Sequence, residues 1–205
     1  LTLHDDGHTT IVIAKNKDII GLVSLIDEPR EASKMVIAEL KNLGITKLAM
    51  LTGDNNRVAQ SIGKDLGLTE IYGSLLPEDK LNIIDKLVSE YSEVAMIGDG
   101  TNDAPAMAHS SVGIAMGAAG SDVALETADV ALLSDKIENL PFVVGLGRKS
   151  KQIIKQNLFI SLGTIFFLIP SAIFWFINLG LTVFIHQVST VLVVFNALRL
   201  LKYKN

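Results

Sequence analysis

The chain has 205 residues, of which 49% are hydrophobic and 20% are charged, and its formal net charge at pH 7 is −4. Because it contains no cysteine, a disulfide framework and a thiolate metal site are excluded within this sequence. The slight acidity and the lack of a basic stripe give no reason to expect nucleic acid as a partner.

The charged residues are unevenly distributed along the chain. Nearly all of them precede Lys155, and residues 156–198 contain no Asp, Glu, Lys or Arg, with His186 as the only titratable side chain. A charged first part followed by an uncharged second part predicts a soluble domain attached to a membrane segment, rather than one globular domain.

The first forty residues predict a hairpin and a helix. Two short runs rich in β-forming residues flank the polar turn 15–18 and predict strands at 9–14 and 20–26. Pro29 begins a helical pattern over 29–43, with Asp27 as the expected N-cap and Gly44 marking its end.

Short strands then alternate with helices, which predicts an α/β fold with a parallel sheet covered on both faces. The predicted strands are 47–51, 71–72, 94–97, 112–115 and 130–132, and the predicted helices are 55–66, 77–91, 103–110 and 121–126. In such sheets, ligands bind at the carboxyl ends of the strands. The polar clusters 52–54 and 98–103 directly follow strands, so we expect the reactive groups at this edge.

The last part of the chain predicts a transmembrane helical hairpin. Two uncharged runs, 158–177 and 181–201, are each long enough to cross about 30 Å of hydrocarbon, and 178–180 interrupt them. Basic residues flank both outer ends, so we expect these ends to face the cytoplasm. The alternative is a buried helical hairpin in a soluble protein.

The most specific chemical signal is the eight-residue stretch 96–103, Met-Ile-Gly-Asp-Gly-Thr-Asn-Asp. Asp99 and Asp103 lie four positions apart on a glycine-rich turn after an apolar strand, and such oxygen ligands suit Mg²⁺. Two carboxylates would repel a phosphoryl group, so phosphate chemistry here requires the cation. The alternative is an ordinary loop rich in Asp and Asn.

Two further segments are compatible with phosphate binding but are less specific. Thr52, Gly53 and Asp54 follow a predicted strand, where a hydroxyl and free backbone N–H groups can hold phosphate oxygens; a plain helix cap by Thr52 or Asp54 is the alternative. Lys80 offers a fixed positive charge that could neutralise a phosphoryl group, although most helical lysines are simply solvated.

The order and spacing of these three segments resemble the P-type ATPases of the haloacid dehalogenase superfamily. The resemblance covers essentially the whole chain and implies ATP and Mg²⁺ as cofactors. It implies that Thr52 contacts the phosphoryl group, that Lys80 stabilises it, and that Asp99 ligates Mg²⁺, with Asn102 and Asp103 completing that corner. The implied domains are the tail of a nucleotide-binding domain with a crossing strand (1–26), a phosphorylation domain (27–148) and the hairpin (149–205).

The nucleophile of that family is the aspartate of an Asp-Lys-Thr-Gly-Thr stretch, which this sequence does not contain. We therefore expect the missing upstream part of the same pump to carry it, and we expect this polypeptide alone not to form an aspartyl phosphate. Two other hypotheses remain open: a membrane-tethered phosphatase of the same superfamily, and a non-catalytic partner fragment.

The hairpin resembles that of the heavy-metal class, whose chains end after two such helices, and we expect it in a bacterial plasma membrane. The sequence from His186 to Thr190, His-Gln-Val-Ser-Thr, partly matches an element of the branch that transports cobalt, zinc or iron. His186, Ser189 and Thr190 share one helical face, and imidazole suits divalent ions such as Co²⁺, Zn²⁺, Cd²⁺ or Fe²⁺. The alternative is that these side chains make hydrogen bonds between packed helices.

Overall fold

The computed structural model describes residues 9–16, 18–25, 29–98, 102–117, 126–132, 134 and 136–204. Backbone contacts divide the chain into two compact units, Leu1–Leu140 and Pro141–Asn205. Each unit is described by itself below. The domain limits predicted from the sequence at 26/27 and 148/149 stay predictions.

The predicted hairpin at the start of the first unit is confirmed. Strand β1 (Thr9–Lys15) pairs antiparallel with β2 (Asp18–Leu25), and the register shifts between Ile13 and Ala14. Asn16 takes a φ of 49° in the connecting turn, a conformation that asparagine tolerates better than most residues.

The first helix, α1 (Ser33–Asn42), begins later than the sequence predicted. Its N-cap position is occupied by Ala32, so the prediction that Asp27 caps this helix is wrong; Asp27 itself lies outside the described residues. The physical reason is a preceding turn, in which the Ser33 N–H donates to the Arg30 carbonyl at 2.9 Å. Gly44 ends the helix with a φ of 83°, as expected.

The parallel strands of the described residues form two sheets. Strand β3 (Ala49–Leu51) pairs with β4 (Glu70–Tyr72), while β5 (Ala95–Gly98), β6 (Val112–Met116) and β7 (Val130–Leu132) pair in that order. The helices between them are α2 (Asn56–Leu66), α3 (Pro77–Tyr91) and α4 (Ala104–His109). The predicted α/β alternation is therefore confirmed, whereas most of the predicted helix 121–126 lies outside the described residues.

The main core of this unit lies where α3 and α4 pack on the β5–β6–β7 sheet. It consists of buried apolar side chains from α3, β5, α4 and β6, namely Ile84, Leu87, Met96, Ala104, Ala106, Met107 and Ala115. Leu51, the last residue of β3, packs against the same cluster. Each fully buried large apolar side chain contributes about 1.5–3 kcal/mol, so this core rigidly supports the carboxyl ends of the strands.

The second unit consists of two long helices, α5 (Asn139–Ile173) and α6 (Leu179–Leu198), followed by a short 3-10 helix (Arg199–Lys202). At 35 residues, α5 is about 50 Å long. It starts before the predicted span 158–177 and ends four residues earlier, because 174–178 form the turn; Trp175 takes a φ of 61° there. Asn178 then caps α6 by accepting from the Leu181 N–H at 2.8 Å.

Both helices are long and apolar enough to cross a membrane, as the sequence predicted. Large apolar side chains cover their surfaces, with Phe159 of α5 82% exposed and Leu179 of α6 79% exposed. Apolar surface of this extent is unfavourable in water but not in lipid.

The end of the chain packs back on the start of α5 within the second unit. Tyr203 lies with its ring centroid 5.6 Å from that of Phe142. A Cβ on Gly145 would collide with the Tyr203 hydroxyl, whereas a Cβ on Gly147 would meet nothing within 4 Å. Glycine at 145 therefore permits the close approach that holds the terminal segment along α5.

Candidate functional site

Lys80 and Asp103, both predicted as site residues, form an ion pair in the first unit. The Lys80 Nζ lies 2.7 Å from Asp103 Oδ1, and the two side chains are 18% and 14% exposed. Lys80 stands in the first turn of α3, which starts at Pro77 and is fixed by Asp79 Oδ2 accepting from the Leu76 N–H at 2.9 Å. The structure therefore brings together a cation and a carboxylate that are largely shielded from water.

Asp103 occupies the N-cap position of α4, but its side chain makes no cap hydrogen bond. The carboxylate instead faces Lys80 through Oδ1 and approaches the end of β5 through Oδ2. A Cβ built on Gly98 would lie 2.7 Å from Asp103 Cβ and 3.2 Å from Oδ2. Only glycine leaves room for the carboxylate at this point.

This corner contains one carboxylate of the kind that Mg²⁺ prefers as a ligand. The Asp103 carboxylate is a hard oxygen ligand beside the space that a side chain at Gly98 would fill. Asn102 is exposed in the turn just before it, while Asp99 lies outside the described residues. Among the residues that are described, no group of three or more His, Cys, Asp or Glu forms a metal cluster, and Mg²⁺ binding by Asp99 and Asp103 stays a prediction.

Thr52, Gly53 and Asp54 form a tight loop directly after β3. The Thr52 hydroxyl donates to Asp54 Oδ2 at 2.6 Å and accepts from the Asp54 N–H at 3.1 Å. Neither residue caps the next helix, because Asn55 is the N-cap of α2 and accepts from the Arg57 N–H at 2.9 Å. The alternative interpretation of Thr52 or Asp54 as a plain helix cap is therefore wrong.

A second loop, residues 73–75, holds the Thr52 loop in place and was not singled out from the sequence. The Leu75 N–H donates to the Thr52 carbonyl at 3.1 Å, and the Ser74 N–H donates to the Asp54 carbonyl at 2.6 Å. A Cβ on Gly73 would lie 2.6 Å from the Cα of Asn56. The signal for this loop was the Gly-Ser pair that directly follows the predicted strand 71–72.

The three polar side chains predicted in the membrane segment have different environments. His186 and Thr190 are exposed on α6, whereas Ser189 is buried. Both hydroxyls donate to the His186 carbonyl, Ser189 at 2.7 Å and Thr190 at 3.1 Å. These bonds satisfy the hydroxyls within their own helix, and their oxygens keep a lone pair that a cation could use.

Asn196 makes the hydrogen bonds that join α5 and α6. Its Nδ2 donates to Asn157 Oδ1 at 2.8 Å and to Gln156 Oε1 at 3.2 Å. Its Oδ1 accepts from Arg199 at 2.8 Å. Asn196 thus acts in the packing of α5 against α6.

The groups of the first unit whose pKa values are shifted cluster around Glu70, at the start of β4. The Thr52 loop lies beside the other end of this strand, where the Thr52 N–H donates to the Tyr72 carbonyl at 3.0 Å. Tyr72 donates to Glu70 Oε2 at 2.7 Å, which lowers the pKa of Glu70 and raises the pKa of Tyr72 to about 12. Lys47 also pairs with Glu70 at 3.2 Å. This cluster links β4 to neighbouring elements and is structural in character.

Comparison with known proteins places the chain in a family. The profile of the haloacid dehalogenase-like hydrolases matches residues 2–110. A cadmium-transporting ATPase from Staphylococcus aureus is 46% identical over 203 residues, which are 99% of this chain and 28% of the relative. A zinc-transporting ATPase from Bacillus subtilis (strain 168) is 45% identical over 196 residues, which are 96% of this chain and 30% of the relative.

A crystal structure of a zinc-transporting PIB-type ATPase in the E2.Pi state superimposes with a TM-score of 0.84 at 41% identity, covering 98% of this chain and 32% of that one. The chain therefore spans about a third or less of the length of the relatives it matches. The chain belongs to the haloacid dehalogenase-like hydrolases, and over nearly its whole length it is similar to metal-transporting P-type ATPases.

Proposed function

We propose that this chain is the C-terminal part of a P-type ATPase that exports a divalent transition-metal cation through an aspartyl-phosphate intermediate. The observation that carries this proposal is the Lys80–Asp103 pair, held beside Gly98 at the carboxyl end of β5. A shielded cation beside a carboxylate suits the binding of a phosphoryl group together with a metal ion. The soluble unit would lie in the cytoplasm of a bacterial cell, with the hairpin in the plasma membrane.

Each residue of the site has a distinct proposed role. Asp103, together with Asp99, would hold Mg²⁺, which neutralises the negative charge of the phosphoryl oxygens when it is bound. Lys80 supplies a second fixed positive charge and, through its ion pair, orients Asp103. Asn102 would hydrogen-bond at the same corner.

The Thr52 loop would bind the other side of the phosphoryl group through the Thr52 hydroxyl and the backbone N–H groups of Gly53 and Asp54. In the structure the hydroxyl donates to Asp54. Contact with a phosphoryl oxygen would require this proton to turn away from Asp54, so Asp54 holds the hydroxyl in place until the phosphate arrives.

The separation of the parallel sheets supports a site completed by another segment of the pump. Within the described part of the chain, β3 pairs with β4 alone and β5 pairs with β6 alone, so each ends its sheet. Leu51 of β3 nevertheless packs on the core that underlies β5. A strand that enters between these edges and carries the nucleophilic aspartate would join the sheets and face both loops.

The transported ion that we propose is Zn²⁺ or Cd²⁺, the ions named for the relatives, with Co²⁺ and Fe²⁺ as the other members of the predicted set. His186 would be a ligand, because imidazole binds these ions well. Ser189 and Thr190 would contribute hydroxyl oxygens from the same stretch of α6.

The test uses the full-length pump reconstituted in liposomes. We expect Mg²⁺-dependent ATP hydrolysis stimulated by Zn²⁺ or Cd²⁺, metal uptake into inside-out vesicles, and an acid-stable, hydroxylamine-sensitive phosphoenzyme. Lys80→Ala should reduce turnover by about 10²–10³-fold, whereas Lys86→Ala, a change to an exposed lysine on the same helix, should leave it near the wild-type value.

Two outcomes would favour the other hypotheses. A phosphoenzyme formed on this polypeptide alone, or hydrolysis of phosphate esters without metal stimulation, would favour a membrane-tethered phosphatase. An upstream stop codon and start site, with no Asp-Lys-Thr-Gly-Thr joined in frame, would favour a non-catalytic partner fragment.

A further inference from the structure

The second unit carries positive charge that its own sequence does not balance. Residues 141–205 contain no Asp or Glu. Their basic residues all lie in two short segments that flank the apolar parts of α5 and α6; we call them the basic collar: Arg148, Lys149, Lys151, Lys155, Arg199, Lys202 and Lys204. A group of cations without an acidic residue in its own unit attracts an anionic partner.

A pocket between the two helices opens within this collar. Lys155 and Arg199 line it at the charged end, and Phe159 and Ile160 form its apolar wall, together with Gln156 and Asn196. Phe159 and Lys155 are both exposed. The pocket therefore places cations beside an aromatic surface. It lies next to the collar end of the uncharged part of each helix.

The pocket is held by specific hydrogen bonds from both helices. Asn196 of α6 donates to Gln156 and Asn157 of α5, and its carbonyl oxygen accepts from Arg199 at 2.8 Å. Because this partner is a neutral amide, it orients the guanidinium without cancelling its charge. The remaining guanidinium donors can bind a phosphate.

We propose that this pocket binds the headgroup phosphate of an anionic phospholipid from the leaflet that faces the soluble unit. Arg199 and Lys155 bind the phosphate, and an acyl chain lies along Phe159 and Ile160. This inference rests on the membrane insertion proposed above. A lipid fits better than a free phosphate because Phe159 and Ile160 give the pocket an apolar wall on the membrane side of the cations.

The test counts lipids that stay bound to the full-length pump in nanodiscs of phosphatidylcholine with phosphatidylglycerol, by native mass spectrometry after mild detergent release. The wild type should retain phosphatidylglycerol. The double variant Lys155→Gln/Arg199→Gln should lose at least about 30-fold in relative affinity, because it removes the two charge-assisted contacts to the phosphate in addition to diffuse attraction.

The matched control is Lys149→Gln/Lys202→Gln, which removes the same charge from the collar outside the pocket lining. It should retain the lipid within about fivefold of the wild type, because only diffuse attraction is weakened.

An equal loss of lipid retention in the two double variants would contradict a specific lipid site in the pocket and would leave only diffuse attraction by the basic collar. This outcome would not affect the proposed pump function. Retention is counted without ATP, so inactivity of a variant does not affect this result. Failure of the wild type to float with vesicles would overturn both the lipid site and the membrane part of the proposed function.

Discussion

The polar groups of the two units are held in different ways. In the first unit, Lys80 and Asp103 bind each other across 23 residues of sequence and rest on a packed apolar core. In the second unit, the hydroxyls of Ser189 and Thr190 bond to the backbone of their own helix. The first arrangement fixes a geometry that no local interaction would produce, whereas the second follows from helix formation alone.

This difference determines how strongly each set of residues supports a site. Shielding an ion pair from water has a desolvation cost that the attraction between the charges often does not offset. The Lys80–Asp103 pair therefore supports a functional site directly. Hydroxyls that bond to their own helix are common in apolar helices, so a role of Ser189 and Thr190 in ion binding needs an independent test.

The largest effect that we expect comes from Asp103→Ala in the full-length pump. The change removes the oxygen ligand beside Gly98 and leaves Lys80 without its partner at 2.7 Å. Turnover should fall by at least about 10³-fold. Asp85→Ala, which removes an exposed carboxylate paired with His109, is the control and should stay near the wild-type rate. A small loss of turnover in Asp103→Ala would contradict the assignment of Asp103 to the site.

The next effect tests the polar side chains of the second unit. If His186 binds the transported ion, His186→Ala should abolish metal stimulation of ATP hydrolysis, while Ser189→Ala and Thr190→Val should reduce it less because their hydroxyls already bond to the backbone. ATP hydrolysis is measured across a Zn²⁺ and Cd²⁺ titration. Unchanged stimulation in His186→Ala would mean that this side chain serves only helix packing.

Two glycine substitutions, one in each unit, test the same comparison through their effect on the free energy of unfolding. Gly98→Ala places a Cβ 2.7 Å from Asp103 Cβ, whereas Gly163→Ala in α5 meets nothing within 4 Å. We expect Gly98→Ala to lose about 1–3 kcal/mol of stability through overpacking, seen as a lower unfolding temperature, and Gly163→Ala to be nearly neutral. Equal unfolding temperatures of the two variants would show that the backbone at the end of β5 shifts to accommodate the added methyl group.

The structural features that were predicted best from the sequence are those that depend on the local residue pattern. The strand–helix alternation, the glycine at the end of α1 and the two apolar helices all follow from periodicity and from turn residues. The motif around Asp103 was predicted because two carboxylates lie four positions apart on a glycine-rich turn after an apolar strand, and its order relative to Lys80 suggested a shared site.

The features that the sequence did not predict depend on contacts between distant residues. Nothing local indicates that Ser74 and Leu75 hold the Thr52 loop, or that Asn196 bonds to Gln156 and Asn157. The start of α1 was also misplaced, since Pro29 fits a first helical turn as well as the turn that precedes Ser33.

The smallest expected effect concerns Glu70, at the end of β4 remote from the Thr52 loop. Its pKa is lowered chiefly by the hydrogen bond from Tyr72, so Tyr72→Phe should raise the pKa of Glu70 towards its ordinary value. NMR titration of the labelled carboxyl in detergent-solubilised chain measures this, with Tyr91→Phe as the control. The Tyr91 hydroxyl lies 3.4 Å from Glu70 Oε1, so its removal should shift the pKa less.

The same variant has a defined pH dependence of stability. A lowered Glu70 pKa stabilises the fold above the unfolded-state value of 4.5 and loses that contribution as the pH falls through the lower native value. A raised Tyr72 pKa stabilises below pH 10, and this contribution is lost as the pH rises through about 12. Between these limits Tyr72→Phe should therefore destabilise by about 1 kcal/mol, with a smaller difference in acid. A difference that grew on acidification would contradict the hydrogen bond as the cause of the shift.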